Sequence, residues 1–203
     1  MIACDSSTDT NNSVYYNILG NITGVALRSK SLAPAVPRGG PSPLGTCAWR
    51  FLNNVVLDAG VGFDLQDMQG NPDPQGSCAM NNIFACGLPG GVPCAPGYKH
   101  QSGIARDATV LSNNLYYPDN ASFFCGQKCS DFASWTDHTT VGVGSAVGDP
   151  QFSDPRQAAW PKGLRVKQGS PAIGHGRPVG LAADFGGGAV PATKPDVGVF
   201  QSP

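Results

Sequence analysis

The dipeptide Asn-Asn opens an apolar run three times, at Asn53-Asn54-Val55-Val56-Leu57, Asn81-Asn82-Ile83-Phe84 and Asn113-Asn114-Leu115-Tyr116-Tyr117. A weaker copy stands at Tyr16-Asn17-Ile18-Leu19-Gly20-Asn21. A short strand entered through an asparagine suits a stacked parallel β-structure. The chain turns sharply there, Asn tolerates a left-handed backbone, and its amide can bond to the repeats above and below. The steps between copies are 36, 28 and 32 residues. One turn of such a stack needs only about 20 to 25 residues, so the surplus must leave as loops. Pro/Gly-rich stretches at 33–43, 70–76 and 87–93 sit where those loops fall.

Apolar alternation predicts strands at about 14–19, 24–28, 49–57, 61–66, 78–85, 103–111, 114–117 and 140–143, with no helical periodicity. The fold expected is all-β: a right-handed, single-stranded parallel β-helix (solenoid) of about five coils with long Pro/Gly-rich loops. One domain covers 1–203, with coils over about 13–145 and a closing segment over about 146–203. Residues 1–12 are polar and offer no amphipathic helix to cover a stack end. This predicts either the C-terminal part of a longer protein or self-association through the N-terminal stack end, which would otherwise be an open sheet edge.

Only 13% of residues are charged and the net charge is -1, so there is no field to steer nucleic acid, and no nucleic-acid partner is expected. No apolar run approaches the roughly 20 residues that span a bilayer, so no membrane insertion is expected, and Met1-Ile2-Ala3-Cys4-Asp5-Ser6 lacks the regions of a signal peptide. Seven cysteines nevertheless point to an oxidising compartment and a secreted or cell-surface protein. Cys86 with Cys94 and Cys125 with Cys129 are expected to close small loops, leaving Cys4, Cys47 and Cys78 with one unpaired. None of the spacings is that of a zinc site. Three Asn-x-Ser/Thr triplets, at Asn11, Asn21 and Asn120, are compatible with secretion.

The last third is more specific. Val147-Gly148-Asp149-Pro150-Gln151-Phe152, Gly163-Leu164-Arg165-Val166, Gly169-Ser170-Pro171-Ala172-Ile173-Gly174-His175-Gly176 and Pro195-Asp196-Val197-Gly198-Val199-Phe200 follow one another over about 50 residues. In that order they resemble the closing segment of right-handed parallel β-helix proteins of the pectate-lyase-like superfamily. His175 stands where Asp is common there, and Phe200-Gln201 where an aromatic-Glu ending is usual. The resemblance implies an extracellular protein that acts on or binds polysaccharide, with a lyase- or hydrolase-like scaffold; the alternative is a non-catalytic surface or matrix protein used for adhesion or assembly. The closing residues themselves read as structural: Asp149 and Asp196 are placed to accept backbone N–H bonds, and Gly169, Gly174 and Gly198 to take positive φ.

Lyase chemistry needs a base and a cation to hold a uronate carboxylate, and hydrolysis needs paired carboxylates. The basic cluster with both lyase ingredients is Lys99, His100 and Arg106, the catalytic candidates. Asp64, Asp67, Tyr98 and Trp135 are the substrate-binding candidates, and Asp58 is expected to cap the turn before Gly60. No cofactor is expected, with Ca2+ among Asp58, Asp64, Asp67 and Asp73 the one metal considered. A lateral groove between the loops near 67–76 and 88–100 is expected to bring Asp64 or Asp67 toward Lys99, His100 or Arg106.

Overall fold

The structure is a computed structural model that describes residues 2–5, 12–31, 49–67, 77–90, 93–95, 98–103, 110–120, 123–124, 128–129, 131–138 and 142–202. Nearly all regular structure is β, and two parallel sheets share it. One contains β1 (Ile2–Asp5), β3 (Ile18–Ser31), β5 (Val55–Asp67), β7 (Ile83–Ala85), β8 (Lys99–Gly103), β10 (Leu115–Tyr117) and β13 (Ala146–Val147). The other contains β2 (Asn12–Tyr15), β4 (Trp49–Leu52), β6 (Ser77–Met80) and β9 (Val110–Ser112). From β2 to β7 successive strands alternate between the sheets, and each pairs in parallel with the strand one repeat away: Val14 with Phe51, Phe51 with Ala79, Val55 with Ile83, and Ile83 with Leu115. A small antiparallel pair, β11 (Phe123–Phe124) with β12 (Lys128–Cys129), and the one α-helix among the described residues, α1 (Phe132–His138), follow the last full repeat.

The Asn-Asn pairs occupy the turn between the two sheets and divide its work. The first member takes the left-handed backbone, with φ of 52° at Asn53, 58° at Asn81 and 52° at Asn113. The second is a buried rung. Asn82 Oδ1 accepts from both the backbone N and Nδ2 of Asn54 at 2.9 Å, and Asn114 Oδ1 accepts from those of Asn82 at 2.9 and 3.0 Å. Asn17 joins in the same way through Asn54 Oδ1. Asn54, Asn82 and Asn114 are fully buried. An amide suits this column because it carries a donor and an acceptor at once, so each rung satisfies its neighbour. The ladder runs one repeat beyond the last Asn-Asn: Gly144 takes φ 70° and Ser145 Oγ accepts the Asn114 N–H at 3.0 Å. The strands expected at 103–111 and 140–143 therefore fall differently, as β8 with β9 and as β13. In the second case Gly142 and Gly144, both at positive φ, make a turn and displace the strand to Ala146.

The core between the sheets contains Phe51, Val56, Phe63, Ala79, Phe84, Leu111 and Tyr116. Trp135 of α1 stacks on Phe123 at 4.8 Å. Val55, Leu57, Ile83, Ala85 and Leu115 form a second cluster with Phe152, Leu164, Ala172, Val197, Val199 and Phe200. Residues 148–202 thus cover the outer face of the larger sheet. The first asparagine of each pair fastens this cover: Asn53 Nδ2 donates to the Gly198 carbonyl at 3.0 Å, Asn81 exchanges bonds with the Arg177 backbone at 2.8 and 3.0 Å, and Asn113 Nδ2 donates to the His175 carbonyl at 3.0 Å. The closing aspartates accept backbone N–H bonds, Asp149 from Gln151 and Asp196 from Gly174 and Ser202. Gly169, Gly174 and Gly198 have φ of 89°, 64° and 99°.

Candidate functional site

Counting four residues on from each rung gives a second column of turn positions: Asn21, Asp58, Cys86, Pro118 and Asp149. Asn21 and Asp58 hold left-handed backbone there, with φ of 54° and 52°. In place of the turn cap expected of its carboxylate, Asp58 takes the strained conformation itself, and its Oδ1 accepts the Gly87 N–H of the next repeat at 3.3 Å. Beyond that point the third repeat is interrupted. β7 pairs with Val55–Leu57, β8 resumes along Val61–Leu65, and the chain between them leaves the sheet and is tied by the Cys86–Cys94 disulfide. Leu88 of this loop is buried, while Pro89 and Gly90 stand out.

Facing the loop is a hairpin of the closing segment. Phe152 bridges Val166 in antiparallel fashion, Ser153 N donates to the Arg165 carbonyl at 2.8 Å, and Asp154 N to that of Gly163 at 2.9 Å. Trp160 at the hairpin's tip donates its indole N–H to the Pro155 carbonyl at 2.9 Å. Its ring lies against Gly20, where a Cβ would come within 2.2 Å of the indole. Between loop and hairpin runs a groove in two parts. The wide part, about 510 Å3, is lined by Leu88, Pro89, Gly90, Phe152 and the polar Asp149, Gln151, Ser153, Asp154, Arg156 and Lys167. The narrow part, about 170 Å3, is lined by Asn21, Asp58, Gln157 and Trp160, and the two share Gly90, Pro155 and Arg156.

One ion pair lies in the groove. Arg156 grips Asp154 through Nε and Nη2, and the hydrogen bonds from its side chain and backbone N–H hold the Asp154 carboxyl down at about 2. Burial works the other way on Asp58 and raises its carboxyl above the usual range, opposed by the Gly87 N–H. Asn21 Nδ2 donates to Gln157 Oε1 at 2.6 Å and locks both amides across the narrow part.

Asp58, singled out from sequence, lines this groove, whereas Asp64, Tyr98, Lys99, His100 and Trp135 do not. His100 is fully buried, its Nδ1 3.0 Å from the Tyr98 hydroxyl and its Nε2 2.7 Å from the Pro118 carbonyl. A carbonyl can only accept, so Nε2 carries the proton and Nδ1 takes the tyrosine's. Burial lowers the pKa of His100 to about 4 and pushes those of Tyr98 and Tyr116 up. The ring packs against Tyr98, Tyr116 and Phe123, so both nitrogens are occupied inside the core and neither meets a substrate in this conformation. Tyr98 and Trp135 are buried too, which removes their rings from any surface stacking. Lys99 is exposed on β8 opposite Val61, three positions along the paired strands from Asp64. Asp64 is buried and turned to the other neighbour, where Arg28 Nε meets its Oδ2 at 2.9 Å. Asp64 and Lys99 thus stand on neighbouring parallel strands, β5 and β8. Arg106, Asp73 and the side chain of Asp67 lie outside the described residues.

Among the described residues no three His, Cys, Asp or Glu side chains converge to hold a metal ion. Of the cysteines, Cys86 and Cys94 are bonded as expected, and Cys78 and Cys129 are also in disulfides, while Cys47 and Cys125 lie outside the described residues. No protein-family model matches the chain, and no curated protein matches it significantly.

Proposed function

We propose that the chain is a right-handed parallel β-helix of the pectate-lyase-like kind that works outside the cell and binds polysaccharide in the groove between the Cys86–Cys94 loop and the 152–166 hairpin. The observation that carries this reading is the groove's lining. Its floor is apolar, from Leu88, Pro89 and Phe152, and its rim offers the hydrogen-bonding groups of Gln151, Ser153, Arg156 and Lys167. A sugar has the matching character, with a C–H face and a belt of hydroxyls, and the volume lies in the range of ordinary ligand sites. The two interleaved parallel sheets and the in-register ladder support the β-helix, and the disulfides support an oxidising compartment.

A non-catalytic role in adhesion or assembly is the second reading, and the state of the carboxylates favours it over hydrolysis. Asp154 is committed to Arg156, and Asp149 accepts the N–H of its own turn at Gln151, so neither is left as a free base beside a partner acid. A glycan array with the wild-type protein and an Arg156→Ala/Lys167→Ala variant tests binding. Specific retention that the variant loses is expected; no retention, or equal retention by both, refutes the site. Incubation of the retained glycans, followed by assays for new reducing ends and for unsaturated uronates, decides between enzyme and binding protein.

A further inference from the structure

We infer that the narrow part of the groove is a subsite for one uncharged sugar ring, held by Asp58, Asn21 and Gln157 against Trp160. This rests on the polysaccharide reading above and narrows its ligand to neutral glycans.

The argument starts from charge. A uronate or sulfated sugar needs an unengaged cation, as a carboxylate or sulfate leaves water only for a matching partner. The cation at the junction, Arg156, already has Nε and Nη2 on Asp154. Lys167 lines only the wide part. Asp58 and Arg156 both line the narrow part, and with Arg156 held by Asp154 the carboxyl of Asp58 is the uncompensated charge that an anionic sugar would meet.

The hydrogen-bonding groups suit hydroxyls instead. A hydroxyl both donates and accepts. Asp58 gives one oxygen to the Gly87 N–H and keeps the other as an acceptor. The bond between Asn21 Nδ2 and Gln157 Oε1 fixes the two amides with Asn21 Oδ1 and Gln157 Nε2 left over, one acceptor and one donor. Burial raises the Asp58 carboxyl above the usual carboxylate range, against the Gly87 N–H. Trp160 has committed its indole N–H to Pro155, so what it contributes to the cavity is its apolar ring, the surface on which sugar C–H groups pack. About 170 Å3 holds one pyranose ring, and the opening past Gly90 and Arg156 into the wide part gives the rest of the chain somewhere to lie. Asn21 and Asp58 both carry left-handed backbone without being glycine, a strain that clusters at functional positions.

The test is calorimetric titration of the full chain with hexasaccharides of neutral β-glucan, xylan and mannan and with oligogalacturonate, at low and high salt. Wild type is compared with Gln157→Ala, an exposed change, and with Asp58→Asn, which keeps the acceptor for Gly87. Thermal melts check that both variants are folded. One neutral hexasaccharide is expected to bind with little salt dependence and about tenfold more weakly in Gln157→Ala, the loss of one or two hydrogen bonds. Stronger, salt-sensitive binding of oligogalacturonate overturns the neutral subsite and leaves the polysaccharide reading standing. Neutral binding unchanged in both variants does the same, placing the ligand in the wide part alone. Failure of every glycan to bind wild type overturns the polysaccharide reading itself.

Discussion

Truncating Asn82 to alanine removes the middle rung of the ladder, and the cost can be worked from its bonds. Asn82 Oδ1 is the acceptor for two donors of Asn54, the backbone N–H and Nδ2, each at 2.9 Å. Its own Nδ2 serves the Phe51 carbonyl and Asn114 Oδ1. In Asn82→Ala the Asn114 oxygen keeps the Asn82 backbone N–H and the Phe51 carbonyl keeps its place in the strand ladder, so the acceptors suffer little. The backbone N–H of Asn54 is left unpaired where exposure is 0%, while its Nδ2 keeps the Val14 carbonyl at 3.0 Å and loses one of its two bonds. An orphaned buried donor costs about 1 to 3 kcal/mol, and with the second bond lost at Nδ2 the change costs about 2 to 4 kcal/mol, a large part of the stability of an ordinary domain. Asn17→Ala is the internal control. That rung is half-exposed and acts on the ladder as a donor, so its loss strands no buried N–H and costs under about 1 kcal/mol. Asn82→Asp restores an acceptor for Asn54 but turns an oxygen toward the Phe51 carbonyl and Asn114 Oδ1, and recovers little. Equilibrium urea unfolding with disulfides intact measures all three. If Asn82→Ala falls within about 0.5 kcal/mol of wild type, or costs no more than Asn17→Ala, the ladder does not hold the stack together.

His100 predicts an acid-sensitive fold: it binds its proton at about 4 when folded and near 6.5 when unfolded, so stability is complete above pH 6.5 and falls as pH drops toward 4. At about 1.4 kcal/mol per unit the loss approaches 3 kcal/mol, and the difference in unfolding free energy between pH 7 and 4, measured in urea, should shrink by that amount in His100→Phe; an unchanged difference contradicts the buried neutral imidazole. Gly163→Ala would set a Cβ 2.2 Å from the Asp154 carbonyl oxygen and 2.8 Å from Ala159 Cβ, so it should destabilise by about 1 to 3 kcal/mol and weaken glycan binding by moving the hairpin that carries Arg156. Gly24→Ala, which meets nothing within 4 Å, should leave both stability and binding near wild type.

The parallel β architecture was legible because the residue that specifies it is chemically conspicuous. A buried rung that must donate to one repeat and accept from the next leaves few choices besides an amide, and Asn-Asn therefore recurs. The fifth rung escaped notice because Gly144 and Ser145 do the same two tasks with different side chains, a glycine for the left-handed backbone and a hydroxyl for the acceptor. Asp149 and Asp196 were legible as turn-holding carboxylates for a related reason, since an Asp-Pro or Pro-Asp step leaves the carboxylate little to do but accept nearby N–H groups. The candidate site was not legible. Lys99-His100 reads locally as a charged loop edge, but the buried Tyr98 hydroxyl and the Pro118 carbonyl, 18 residues on, give His100 both of its partners in the core. Position in the sequence cannot show that pairing. Asp58 was visible, but Arg156 and Trp160 come from the closing segment, nearly 100 residues further on, and only the outer packing of 148–202 brings them to one groove with it.

The two turn columns explain why a groove forms at one and not at the other. At the rung column every side chain is spoken for by the repeats above and below, and the covering segment bonds to the neighbouring asparagines, so an insertion there would strand several buried amides at once. Four residues further on, no side-chain ladder links Asn21, Asp58, Cys86, Pro118 and Asp149; the bonds across repeats there are separate ones, Asp58 with the Gly87 N–H, the Cys86 N–H with the Tyr117 carbonyl and the Pro118 carbonyl with His100. An insertion at that corner costs little. The third repeat accepts the loop of 86–98 there, while β5 keeps its partners on both sides of the gap, β7 at 55–57 and β8 at 61–65. The disulfide then limits the loop's freedom, and Leu88, buried in the cluster beneath the closing segment, fixes its root. The groove's side chains are thereby hung from a corner whose backbone is set by the adjacent ladder and whose side chains are not needed by it, an arrangement in which the loop can vary without risk to the fold.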